Sequence, residues 1–281
     1  MKLKWLMSND INSSDIIELQ NCILNVMVWF HNFCEEHELS YYLMGGSALG
    51  AVRHKGFIPW DDDIDVFMPY DDYIKLLGLS SEINDGPFYL QSENTKELPY
   101  FFSKIRMNNT FIRDGVLTDI SSNNGIFIDI MCLNYVSNNR VKRYFQYLVA
   151  GMLKAYANTK TGYKPNSFKK KVLMFISKIF VNKLTKKSFL KFVRSNNKKK
   201  SNYCAHYFGR AKYKQSVYSS SLFNKQKLLD FETTKFYVMD GVEEYLTDRY
   251  GPNYMKLPDE ATKAIYQSHV IDWRIDLEKD Y

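Results

Sequence analysis

One hundred consecutive residues, 130–229, contain no aspartate or glutamate. That stretch carries 23 of the 38 Lys and Arg residues, while the flanks hold the other 15 and all 31 acidic side chains. The net charge of +7 therefore conceals a middle of +23 between flanks that sum to −16. Cysteine is also scarce. Cys22, Cys34, Cys132 and Cys204 form no CxxC pair, so they read as reduced thiols. Cys204 and His206 alone are too few ligands for a zinc site. No apolar run approaches the roughly 20 residues needed to span a bilayer. The first ten residues, MKLKWLMSND, turn polar too soon for a signal peptide. The expected location is cytoplasmic, with the inner face of a membrane as a surface for peripheral attachment.

Three explanations compete for the acid-free stretch. An anionic membrane surface attracts each nearby basic residue by about 1 kcal/mol. Nucleic-acid phosphates would attract the same charges. Alternatively, the middle folds against the acidic flanks and the charges cancel. No zinc-finger or RNA-binding signature is present, so nucleic acid is not expected. Residues 172–181 (VLMFISKIFV) lie between Lys169-Lys170-Lys171 and Lys183. An amphipathic helix lying in a membrane interface would show this pattern. A helix packed on the core would show it too.

The 281 residues suffice for one large domain or two small ones, and 45% hydrophobic content supports a globular chain. With 21 Tyr, 19 Phe and 4 Trp, aromatics exceed what one core needs, leaving some to line a cleft. Apolar spacing predicts a helix over 15–37. Strands are predicted over 41–44, 63–68, 88–90, 100–106, 111–113 and 125–131, with a helix over 71–77. The pattern is mostly helical from 141, with an exposed loop at 196–202. Residues 231–238 read as extended, and 242–250 as a helix stopped by Gly251-Pro252. The division expected is a catalytic core over 1–138, a basic helical region over 139–229, and a segment over 230–281 packing back on the core. No internal repeat is visible.

The richest segment is 41–68, YYLMGGSALGAVRHKGFIPWDDDIDVFM. Gly45 and Gly46 allow a sharp turn and close approach of backbone to a ligand. Ser47 is a suitable N-cap for a helix whose free N–H groups would face an anion. In Asp63-Ile64-Asp65-Val66 acids alternate with hydrophobes, so on a strand Asp63 and Asp65 share a face. Two carboxylates so placed suit one or two magnesium ions. Asp61 and Asp62 read as a solvated acidic loop or as partners of nearby backbone. Asp129 interrupts the apolar run 125–131, and a charge there is costly unless paired or metal-bound. Lys104 and Arg106 share a strand face, either as phosphate ligands or as paired charges.

The run 45–54 (GGSALGAVRH) and then 56–65 (GFIPWDDDID) resembles the LicD family. That family includes choline phosphotransferases of bacterial surface polysaccharides and is related to fukutin-like proteins. The resemblance continues through 104–110, 125–129, Phe231-Glu232 and 245–258. It implies an α+β, nucleotidyltransferase-type fold with a mixed sheet flanked by helices. It also implies transfer of a phospho-alcohol, phosphocholine or a group such as phosphoribitol, from a CDP-linked donor. The acceptor would be a sugar hydroxyl of a glycan or lipid-linked glycan. In this reading Asp63, Asp65 and Asp129 hold Mg²⁺, or Mn²⁺ in its place. Gly45, Gly46 and Ser47 meet the donor phosphates, with positive charge from Arg53 and from Lys104 or Arg106. His54 and Asp129 are alternative general bases, and a structural role for His54 is as good. Trp60 would face a quaternary ammonium or serve as core packing.

Overall fold

The computed structural model describes residues 13–114, 123–259, 263 and 270–275. The segment 1–10, read above for a leader, lies outside them. Helix α1 (Ser13–Glu36) buries Leu19, Ile23, Met27, Phe30 and Cys34, the one-sided spacing that predicted it. Trp29 stacks on Phe88 with ring centroids 4.3 Å apart, fixing the helix against the sheet.

Chain order continues with β1 (Tyr42–Leu43), α2 (Gly45–Arg53), β2 (Asp65–Pro69), α3 (Tyr70–Gly78), α4 (Ser80–Asn84), β3 (Phe88–Gln91), β4 (Ser103–Met107), β5 (Thr110–Asp114) and β6 (Phe127–Tyr135). The central sheet runs β1-β2-β6-β4-β3. Only β2 and β6 are parallel, and Asp65 lies directly opposite Asp129. Strand β6 is long enough to serve two partners. Its first half pairs with β4, and its end pairs with β7 (Tyr203–Ala205), which in turn pairs with β8 (Val217–Ser219). Along β6, Ile128, Ile130 and Cys132 are fully buried on one face, which turns Asp129 to the other. Each such buried side chain contributes about 1.5–3 kcal/mol. All four cysteines are buried and unpaired.

The acid-free stretch contributes α5 (Arg140–Asn158), α6 (Phe168–Phe180) and α7 (Lys183–Val193), then β7 and β8. Ala150, Leu153, Ala157, Val181 and Val193 form a second apolar cluster with Phe101, Tyr207 and Phe208. Arg194, just after α7, meets Glu93 in a two-pronged ion pair, Nη1–Oε1 2.6 Å and Nη2–Oε2 2.9 Å. After β8 come the hairpin of β9 (Gln226–Phe231) and β10 (Thr234–Met239), helix α8 (Val242–Tyr250) and β11 (Val270–Ile275), which pairs with β5. No helix among the described residues is long and apolar enough to cross a membrane.

The α+β class is as expected, with three local corrections. The extended segment 231–238 is a hairpin. Glu232 makes its turn at φ +52°, held because its N–H donates to Lys55 O and its carboxylate accepts from Phe57 N–H. Residues 197–199 form a 3₁₀ turn within the expected loop, because the Asn197 amide is buried and bonds to Asn134 and Tyr135 of β6. Helix α2 begins at Gly45 rather than after Ser47. Gly45 takes φ +55°, a left-handed conformation that glycine alone adopts without strain.

Candidate active site

The site lies where α2 starts and β2 and β6 run side by side. Met44 N–H donates to Asp65 O at 3.0 Å, and Asp129 N–H donates to Ile64 O at 2.9 Å, so backbone bonds fix turn and strands together. Ser47, buried inside α2, accepts from Asp65 N–H through Oγ at 2.9 Å. This serine thus locks the turn onto the acidic strand. Gly45 N–H donates to the Tyr245 hydroxyl of α8 at 2.8 Å.

Five carboxylates gather over this turn. Asp65 Oδ2 lies beside Gly45, and Asp61 Oδ2 packs against Gly46, where an added Cβ would meet it at 2.6 Å. Gly46 therefore makes room for a carboxylate. Asp61, Asp62 and Asp63 each offer an oxygen within 4.8 Å of the others, the compact trio among the described residues. The Asp62 carboxylate also accepts from Val270 N–H, at 3.1 Å. Asp65 and Asp129 stand next to one another on β2 and β6. Of the expected set, Asp63 belongs to the trio, and Asp65 and Asp129 to this neighbouring pair. Strand β2 starts at Asp65, so Asp63 sits just before it.

Like charges crowded in a half-buried site resist ionisation. Asp61 and Asp65 are held well above the usual carboxylate range, first by burial and then by their acidic neighbours. Asp63 is pushed up to about 7 by burial, Asp62 and Asp129, while Lys104 and Arg210 pull the other way. Lys104 comes from β4, directly opposite Asp129, and its Nζ is 2.6 Å from Asp129 Oδ1. The same Nζ sits 3.3 Å from the Phe127 ring centroid. Arg210 arrives from the acid-free stretch.

The other expected residues take varied places. Arg106 is buried; Nε donates to Gln91 Oε1 and Nη1 to Gly125 O, both at 2.8 Å. Arg53, at the far end of α2, donates to Tyr254 O at 3.0 Å and to Lys256 O at 3.3 Å, tying down the segment after α8. Its Nε also donates to His54 Nε2 at 2.9 Å. Burial and Arg53 lower the His54 pKa, so this imidazole gains a proton only by giving up that bond. Trp60 is half-buried next to Asp61, with the Lys263 Nζ 5.2 Å from its ring centroid.

Sequence reasoning read Asp61 and Asp62 as loop acids or as partners of nearby backbone, the role Asp62 takes toward Val270, and did not single out Arg210. The run of three acids was the only signal for the first two. Arg210 had none, because its sequence distance from Asp63 hides their proximity. Glu232 was noted for resemblance alone. Its carboxylate occupies the space a Gly56 side chain would need, which pins the loop leading to Trp60.

Hard oxygen donors in this number fit a divalent cation such as Mg²⁺ or Mn²⁺, which would relieve their mutual repulsion. A glycine turn under strand carboxylates, in a mixed sheet flanked by helices, is the arrangement expected of a nucleotidyltransferase-type domain. Residues 38–193 match the family described as LicD/FKTN/FKRP, nucleotidyltransferase domain, and the chain belongs to that family. It is 31% identical over 261 residues to the lipopolysaccharide cholinephosphotransferase LicD of Haemophilus influenzae, a match spanning 86% of this chain and 92% of that protein. Shorter likenesses, 41% identical over 46 and 44 residues, join it to uncharacterised proteins of Rickettsia prowazekii and Rickettsia typhi, each spanning 16% of this chain.

Proposed function

We propose that this protein is a metal-dependent phosphotransferase that moves phosphocholine from a CDP-linked donor to a sugar hydroxyl of a surface glycan or its lipid-linked precursor. The observation that carries the reading is the likeness to a cholinephosphotransferase over 92% of that protein's length. The carboxylate cluster supplies the chemistry it would need. Asp61, Asp62, Asp63, Asp65 and Asp129 would hold the cation. When bound, Mg²⁺ or Mn²⁺ neutralises the donor diphosphate and the departing CMP.

The chain's own residues then position and discriminate. Lys104 orients Asp129 through their ion pair. Arg210 adds positive charge near Asp63. The Trp60 ring already takes a cation on its face, that of Lys263, and the trimethylammonium of choline is a cation suited to the same face. Positioning and electrostatics would supply most of the rate.

Donor binding tests the cargo. Thermal-shift titrations with CDP-choline, CDP-ribitol and CMP would be run with Mg²⁺ and with EDTA. CDP-choline is expected to raise Tm only with the metal, and Trp60→Ala to weaken CDP-choline more than CMP. Preference for CDP-ribitol would keep the reaction class and replace the cargo. Turnover of a nucleoside triphosphate with release of pyrophosphate, in place of CMP release from CDP-choline, would assign nucleotidyl transfer instead.

A further inference from the structure

Helix α6 turns its apolar face outward. Phe168, Val172, Phe175, Ile176 and Ile179 recur at the i, i+4, i+7, i+8, i+11 spacing of one helical face, and all five are exposed. Phe168 is 79%, Phe175 66% and Ile179 61% accessible. The opposite side carries Ser177, which is fully buried. A helix recruited for core packing would be turned the other way. Lys169 borders one edge of the apolar face, and Lys171 and Lys178 border the other. These lysines are exposed, and no carboxylate bonds to them among the described residues.

We propose that this face of α6 docks onto an anionic lipid bilayer, with the helix lying flat, its apolar residues among the acyl chains and its lysines at headgroup level. Charge decides the occupant. A second copy of the chain would bring one lysine-rimmed face against another, within a stretch that has no acid to answer it. Nucleic-acid phosphates would satisfy the lysines but leave the phenylalanines and isoleucines in water. An anionic bilayer satisfies both, and a 13-residue helix is about 20 Å long, suited to lying in an interface but too short to cross. The inference is independent of the transfer reaction and holds or fails without it.

The test is cosedimentation of the full chain with vesicles of phosphatidylcholine alone or mixed equally with phosphatidylglycerol, at low and high salt. Binding is expected only to the mixed vesicles, and to weaken with salt. Two variants locate the face: Phe175→Ser with Ile179→Ser, and Lys171→Gln with Lys178→Gln. Each pair is expected to weaken binding about tenfold or more, with Tm unchanged because the side chains are exposed. Light scattering on the same samples reports assembly. Absence of binding, equal binding to neutral vesicles, or variants that bind like the parent would overturn the proposal. So would a serine variant that converts a dimer to a monomer, which would give the face to a second copy.

Discussion

Lys104 sits 2.6 Å from Asp129 and 3.3 Å from the centroid of the Phe127 ring, with only 3% of its surface exposed. Removing one partner of a buried ion pair leaves the other charge uncompensated. Lys104→Met is therefore expected to destabilise the metal-free protein by about 3 kcal/mol, read from urea unfolding, with part of the loss recovered in saturating Mg²⁺. Asp63 gives a prediction in pH. Its folded pKa, about 7, is above its unfolded value, so its contribution is fully present below the unfolded pKa and is lost as pH rises through 7. The Tm of EDTA-treated protein should fall between about pH 4 and 7, and the Tm gain from Mg²⁺ should grow over the same range. A gain that is constant in pH would remove the cluster as the metal site. At this scale Asp63, Asp65 and Asp129 were legible because each acid interrupts or alternates with an apolar run. The Lys104–Asp129 pair needed the register of β4 on β6, and Arg210 needed the path of the chain after β7; neither is written in local spacing.

Among elements, α1 and α8 follow their sequence signals closely, since one-sided apolar spacing and a Gly-Pro stop act locally. The β9–β10 hairpin was hidden because its turn has no glycine, proline or asparagine; contacts with Lys55 and Phe57 stabilise Glu232 in a left-handed conformation instead. The pairing of β5 with β11 was equally hidden by the long separation between them. The apolar face of α6 is turned outward and not onto the core, an orientation its sequence left open. The helical region is joined to the sheet by the Arg194–Glu93 pair, both side chains being almost fully buried. Glu93→Ala strands the guanidinium there and is expected to cost about 3 kcal/mol. An unchanged urea midpoint would show that the apolar cluster around Leu153 and Val193 holds α5–α7 unaided.

At the scale of the whole molecule, the described residues of the acid-free stretch meet the acidic flanks at a few points. Arg194 and Lys227 form ion pairs with Glu93 and Glu243, while most lysines of α5–α7 face outward. The acidic cluster is half-buried where β2 and β6 run side by side, and the exposed lysines lie on the helices. Such a division suits a catalyst whose donor is an anion held through a metal and whose acceptor resides at a surface. The most direct measurement is CMP release from CDP-choline, with glycan acceptor and Mg²⁺, by the parent protein and by Asp65→Asn. Release should require the metal, stop on adding EDTA, and fall by about a hundredfold or more in Asp65→Asn. Release that survives both EDTA and Asp65→Asn would contradict a metal-dependent site on β2 and β6.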